Sequence, residues 1–568
     1  MLALVLSLLL LLLPGSVHAI YDPLSVSNNK YGIHIADFND LADVAPLINS
    51  DGGDWGYVTL VATDNDRNKE RWQTMFNQMR RLHMIPIVRL ATHPETNGWK
   101  KPDTAHFGET VRLFNNLNWP TQNRYVVLYN EPNHANEWGG TIDPEGYALV
   151  ALELAKTFKE ASSDFFILLA GLDTSAATDG ASLDAAEYLR RMIHSQPKLL
   201  NQIDGWASHS YPNPAFSGSP YASGRGTIRS FDWELKYLKS LGLTRNLPIF
   251  ITETGWVHNQ GKVPRNGPLS PESVGANFKI AAASVWDDSR IVAVTPFVFN
   301  YQDVPFDTFS WKRLGGGGYY AQYDDYRSIS KIKGTPKQRE EYILSDTLLP
   351  PTLVSGSSYT LTSTITNKGQ GILNANDGYE IVFDSEKKGF VLQFDTLPTL
   401  EPEEKGNLTI HLKTPAQTGL FHASLNIRHG DTVIPLQSRD IQLVPPPSVR
   451  VVAALGWRRT SEATDAAVLV YDGGTLIHKF TGLQMSDGVV RASGLNNIVP
   501  GKRYRVVLLV PSYLPRQAIL TLGAKETIVS MKRLYPFDIN KDGKFSAGDI
   551  WTLLTKQPHN MINLFVSP

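Results

Sequence analysis

Residues 25–335 predict an α/β fold of the TIM (β/α)8-barrel type, on three observations. Short β-rich runs alternate with helical stretches from about residue 31 to about residue 332. Several of the runs are continuously apolar, the pattern of parallel strands covered on both faces. Eight strand-helix units in about 300 residues is the length such a barrel requires.

The strand runs fall at 31–36, 56–61, 85–90, 125–129, 166–170, 205–208, 248–252 and 292–298. Helical stretches lie between them, among them 67–82, 144–160, 182–193 and 273–286. Ser270-Pro271-Glu272 reads as a helix start, with a capping hydroxyl before a proline whose fixed φ suits the first turn. A doubly wound open sheet is the rival topology. It requires a Gly-rich phosphate loop after the first strand, and Ile35-Ala36-Asp37-Phe38 is not one.

Beyond the barrel the pattern changes. Residues 340–444 are rich in Thr, Ser, Val and Gly, with alternating runs between turn residues, and predict an antiparallel β-sandwich. Pro445-Pro446-Pro447 reads as a stiff linker. A second, smaller β-sandwich domain is expected over 448–533, with strands near 467–471 and 503–510. A short helical tail behind a metal-like loop occupies 534–568.

Composition excludes several function classes. The 568 residues are 42% hydrophobic and 19% charged, with a formal net charge of -1. No basic excess points to nucleic acid. The absence of cysteine removes disulfides, thiolate chemistry, Cys-based zinc sites and iron–sulfur clusters. Leu2 to Leu13 is uncharged, and Pro14-Gly15 and a small-residue stretch ending Val17-His18-Ala19 follow. Residues 1–19 thus read as a secretory signal peptide cut after Ala19, with an uncleaved anchor as the alternative. No other run is apolar and long enough to span a membrane. A secreted chain without cysteine fits a bacterial exterior.

The chemistry concentrates at two predicted strand ends. The fourth strand runs into Asn130-Glu131-Pro132-Asn133-His134, and the seventh into Glu253-Thr254-Gly255-Trp256. Residues at the C-terminal ends of barrel strands face the active site. Three strand-helix units of roughly 40 residues each bridge the interval, so both glutamates reach one mouth. Two facing carboxylates are what glycosidic-bond cleavage requires, one delivering a proton to the leaving oxygen and one attacking the anomeric carbon. Asn130 sets an amide beside the acid, in reach of a sugar 2-hydroxyl. Taken singly, either glutamate reads equally well as a helix cap or an arginine partner.

These two segments resemble the large group of barrel glycosidases called clan A, in particular its family 5 and family 39 members. The resemblance covers roughly residues 25–332. It implies a retaining glycoside hydrolase with Glu131 as acid/base and Glu253 as nucleophile, and no cofactor for catalysis. It also implies roles for residues at matching positions. His209 and Tyr211 would contact the nucleophile and substrate, and Arg89 would sit beside the nucleophile. Trp256 and Trp138 would form sugar-stacking walls, with core packing as the alternative. His34 and Asp37, at the first strand, would touch sugar hydroxyls. The clan often carries a Trp at the end of strand eight, where this chain has Phe297-Val298-Phe299-Asn300-Tyr301, with Trp311 farther on.

The tail has oxygen-bearing side chains at positions 1, 3, 5, 9 and 12 of a twelve-residue loop: Asp538, Asn540, Asp542, Ser546 and Asp549. Gly543 stands where such a loop turns sharply, and Lys544 follows at the position that offers a backbone carbonyl. This set predicts a structural Ca²⁺ site. It resembles one repeat of a dockerin, which implies a cohesin-like or cell-surface partner, although dockerins carry two loops and one is visible here. The expected function is therefore hydrolysis of a β-linked polysaccharide or oligosaccharide outside the cell. The alternative is a non-catalytic carbohydrate-binding or cell-surface scaffold protein.

Overall fold

The computed structural model describes residues 19–96, 98–263, 269–385 and 389–556. The expected signal segment, apart from Ala19, lies outside the described residues. The chain divides into two compact units at Arg339/Glu340.

In the first unit the strands are β1 (Gly32–Ile35), β2 (Gly56–Thr63), β3 (Met84–Ala91), β4 (Arg124–Leu128), β5 (Phe165–Leu169), β6 (Trp206–His209), β7 (Ile249–Glu253) and β8 (Ile291–Val294). All neighbouring pairs are parallel, β1 to β5 in one ladder and β6 to β8 in another. Parallel bridges Tyr31–Val294 and Asp173–His209 join the two ladders at both seams, so the sheet closes on itself.

Alternation along each strand divides its side chains between two cores. In β4, Tyr125 and Val127 point into the barrel, while Val126 and Leu128 pack outward against the helices. Both faces are dry, which is why these strands read as unbroken apolar runs. Inside the barrel, Tyr57, Tyr125, Phe166 and Phe250 meet ring to ring.

The outer ring of helices has local start signals. Asn68 caps Lys69–Arg81 by accepting from the Arg71 N–H, and Asp143 caps Pro144–Ala161 through Gly146. Asp184 caps Ala185–Ser195, and Ser270 caps Pro271–Ser284 through the Ser273 N–H, with the proline in the first turn as the sequence predicts. Strand β8 is shorter than the run at 292–298. The ladder ends at Val294, and the chain beyond it turns over the barrel mouth, where Phe297 N–H bonds the Thr254 carbonyl.

In the second unit, β9 (Tyr342–Leu344), β10 (Thr352–Val354), β11 (Ser358–Asn367), β12 (Tyr379–Ser385), β13 (Val391–Phe394), β14 (Lys405–Lys413), β15 (Gly419–His429) and β16 (Thr432–Val444) form two four-stranded sheets. Their inward residues share one apolar core that includes Ile365, Ile410, Leu425 and Ile441. Pro445 to Pro447 then separate β16 from β17 (Ser448–Val452).

The segment expected as a second sandwich is instead one seven-stranded sheet. It is made of β17, β18 (Ala463–Asp472), β19 (Thr475–Ser486), β20 (Val489–Ser493), β21 (Arg503–Val510), β22 (Tyr513–Thr521) and β23 (Thr527–Ser530). The β18–β19 pairing is interrupted by several register shifts. Such bulges bend a strand and increase its twist, which lets a single sheet curl over its own core. Alternation in sequence looks the same for one curled sheet as for two flat ones. Past this sheet comes helix Ala547–Lys556.

Candidate active site

The cleft lies at the C-terminal ends of the barrel strands and encloses about 460 Å³. Glu253 is the last residue of β7 and is buried. Its Oε1 accepts from Arg89 Nη1 at 2.8 Å, and its Oε2 accepts from the Tyr211 hydroxyl at 3.0 Å. Burial pushes this carboxyl up, but the charges of His209 and Arg89 and the Tyr211 hydroxyl outweigh burial, so the net shift is downward. Glu253 is thereby held as a carboxylate.

Glu131 follows β4 by three residues. Its backbone takes the left-handed conformation at φ 27°, unusual for a residue with a side chain, and its N–H bonds the Gly171 carbonyl at 3.1 Å. Such conformations cost about 1–3 kcal/mol and persist where surrounding structure imposes them. Glu131 Oε1 is 2.7 Å from His209 Nδ1, and its side chain is 20% exposed. One ligand atom each from Glu131, His209 and Glu253 all lie within 4.8 Å of one another.

His209 is buried, which lowers its tendency to hold a proton. Glu253 and the hydrogen bond to Glu131 more than reverse this, and its pKa is raised. The ring lies against Gly171, where a Cβ would come within 2.2 Å of Cδ2. Only glycine leaves room for the ring there.

Arg89 connects the two halves of the cleft. Its Nη1 donates both to Glu253 and to Asn130 Oδ1. Asn130 in turn donates from Nδ2 to Glu137 Oε2 at 3.2 Å. The acid-neighbouring amide is thus fixed by two protein partners.

Of the residues singled out in the sequence, Glu131, Glu253, Asn130, Tyr211 and Arg89 line the cleft. His209 stands behind Glu131. Four others are placed elsewhere. Trp138 is fully buried between Tyr129 and Tyr147, and Trp256 is buried against Phe278 with its indole N–H on the Gly218 carbonyl. Neither is a sugar-stacking wall. Each loop backbone turns its indole toward the helix layer, where the apolar surface is. His34 lies beneath Glu253, its Nε2 3.8 Å from Oε1. Burial and the neighbouring Arg89 bring its pKa down to about 3, so it is neutral. Asp37 is exposed and caps a short turn through the Asn39 N–H.

Sequence reasoning missed four features of the cleft. Phe297 takes the wall at the strand-eight side, with Phe306 and Phe309 around it at centroid distances of 5.1 and 5.6 Å. Trp99, from the loop after β3, forms another part of the lining. His134 and Asp173 pair at 3.1 Å on the rim. Glu137, one turn past the Asn-Glu-Pro motif, contributes a fourth carboxyl. Its only sequence signal is an acidic residue in the loop that follows the Asn-Glu-Pro motif.

In the tail loop, carboxylate oxygens of Asp538, Asp542 and Asp549 lie within 4.8 Å of one another. Asp549 is buried and accepts from the N–H groups of Ile539, Asn540 and Ser546. Asn540 and Ser546 sit in the same loop. The Lys544 N–H donates to Asp542 Oδ1 at 2.9 Å. Gly543 makes the turn at φ 82°. Oxygen donors in this number and spacing suit Ca²⁺.

No family model matches the chain, and no curated protein matches it. Among solved structures it is similar to a family 39 glycoside hydrolase from the gut symbiont Bacteroides cellulosilyticus WH2. The identity is 14%, over 70% of this chain and 82% of that one, with a TM-score of 0.36. It is also similar to a GH113 β-mannanase from Alicyclobacillus acidocaldarius, at 10% identity over 54% of this chain and 98% of that one, with a TM-score of 0.31. An agarase matches at 10% identity over 53% and 46%, with a TM-score of 0.25. Likeness at this level leaves the functional argument to the geometry of the cleft itself.

Proposed function

We propose that the protein is a secreted retaining glycoside hydrolase acting on a β-linked polysaccharide or oligosaccharide. The observation that carries this reading is that one carboxylate oxygen of Glu131 and one of Glu253 lie within 4.8 Å of each other in one cleft. Retaining enzymes hold their carboxyl groups about 5–5.5 Å apart, and inverting enzymes leave about 6.5–9.5 Å for a water. Glu253, kept ionised by Arg89 and Tyr211, attacks the anomeric carbon. Glu131 gives its proton to the departing oxygen, then takes one from the water that releases the glycosyl-enzyme. His209, bonded to Glu131, keeps a proton within reach of that exchange.

The Glu131, His209 and Glu253 atoms are also close enough to share a divalent cation. The Arg89 guanidinium, 2.8 Å from Glu253, opposes a second positive charge there. Proton NMR of the first product formed distinguishes the stereochemical outcomes. Retained anomeric configuration is expected, and inverted product would remove Glu253 from the nucleophile role.

The tail loop is proposed to hold a structural Ca²⁺ through Asp538, Asn540, Asp542, Ser546, Asp549 and the Lys544 carbonyl. Chelation should lower the thermal midpoint of the second unit and added Ca²⁺ should restore it. No response to either sinks the site. Phe545, Ile550, Trp551 and Leu554 are exposed around it, which supports a role in docking a cohesin-like or cell-surface partner. Secretion rests on the apolar segment before Ala19. Among the described residues no helix is long and apolar enough to cross a membrane.

A further inference from the structure

The cleft contains two more acidic groups than the proposed reaction uses, Asp173 and Glu137. Glu253 is paired with Arg89, Asp173 with His134, and Glu131 with His209. Glu137 lines the same cleft, and among the described residues no Lys, Arg or His nitrogen forms an ion pair with it. Its partner is the neutral Asn130 amide. That amide adjoins the acid, where contacts to the sugar 2-substituent are made in glycoside cleavage. A substituent reaching Asn130 Nδ2 therefore also meets the Glu137 carboxyl. Trp99, in the same lining, offers a flat apolar face to a sugar ring.

We propose that Glu137 is a specificity-determining residue that binds a protonated amino group, so that the sugar held in the cleft is a β-linked 2-amino-2-deoxy hexose with a free ammonium. A hydroxyl at that carbon would find a donor in Asn130 but would leave the Glu137 charge uncompensated. An ammonium fills the missing counter-charge and keeps three donors for the surrounding oxygens. Burial first, then the neighbouring Glu131, pushes the empty site's Glu137 up to about 7. Binding a cation draws it back to the carboxylate, so ligand and site become complementary together.

The inference rests on the glycosidase reading for its placement of the sugar, but its test does not depend on turnover. The probes are methyl β-D-glucosaminide and methyl β-D-glucoside, which differ only at carbon 2, titrated into the full-length protein at pH 7.5 with ligand-observed NMR. The wild type should bind the amine about ten- to a hundredfold more tightly, the range of one charge-assisted hydrogen bond. Glu137→Gln keeps the side-chain shape and an oxygen for Asn130, and it should abolish that preference while leaving the thermal midpoint unchanged. Equal binding of the two probes, binding of neither, or a preference that survives Glu137→Gln overturns the proposal. Amine binding that depends on Glu137, without cleavage of any amino-sugar oligomer, would instead count against the hydrolase reading and leave this one standing.

Discussion

The ends of β4 and β7 supply the same side chain to the same cleft and treat it in opposite ways. Glu253 is the last residue of its strand, is buried, and is gripped on both oxygens by Arg89 and Tyr211. Glu131 lies beyond its strand in a left-handed turn, keeps contact with solvent, and has one close partner, His209. In the proposed reaction the difference corresponds to two jobs. A nucleophile has to remain ionised and fixed, which buried donors accomplish. An acid that becomes a base has to lose and regain a proton each cycle, which suits a group beside a histidine and near water. Environment, more than residue type, separates the roles.

The sharpest way to break this comparison is to neutralise each carboxylate in turn. Glu253→Gln should lower kcat/KM by about 10⁴ or more on every substrate, because no covalent step is left. Glu131→Gln should cost about 10²–10⁴ on unactivated glycans. On aryl glycosides with a good leaving group it should cost far less, since the departing phenolate needs little protonation. Rates on both substrate types measure this directly. An equal loss on both types for Glu131→Gln would erase the distinction between the two strand ends.

Much of this arrangement was legible in the sequence because it depends on strand ends. A residue at the C-terminal end of a barrel strand has only one place to go, so Glu131 and Glu253 could be assigned to the mouth from the order of the strands, and Tyr211 and Arg89 from the resemblance at matching positions. Where the side chain leaves a loop, the sequence is silent on direction. Trp138 and Trp256 follow the two glutamates closely, yet both turn into the helix layer, because a large apolar ring gains more from burial there. The reverse holds for Glu137, an acidic residue in a loop, which is partly buried in the cleft. Phe297 reads as part of a strand and is found on the cleft wall, since β8 stops three residues earlier. In the second unit, the curl of the seven-stranded sheet comes from pairing irregularities between β18 and β19, which only the partner strand defines.

A smaller effect is expected from the hydroxyl that distinguishes the two environments most economically. Tyr211→Phe removes one of the two donors to Glu253 and leaves the ring packed against Phe216 and Phe309. The Tyr211 hydroxyl favours the ionised form of Glu253, so its loss moves the Glu253 pKa upward. The nucleophile acts only above that pKa. The acid limb of the kcat/KM profile should therefore shift to higher pH, and the plateau should fall by about tenfold for one lost charged hydrogen bond. Among the described residues Glu131 hydrogen-bonds His209 and not this hydroxyl, so the basic limb should stay in place. A profile in which the basic limb moves and the acid limb does not would mean that Tyr211 acts on the proton donor, and the two carboxylates would have to exchange roles.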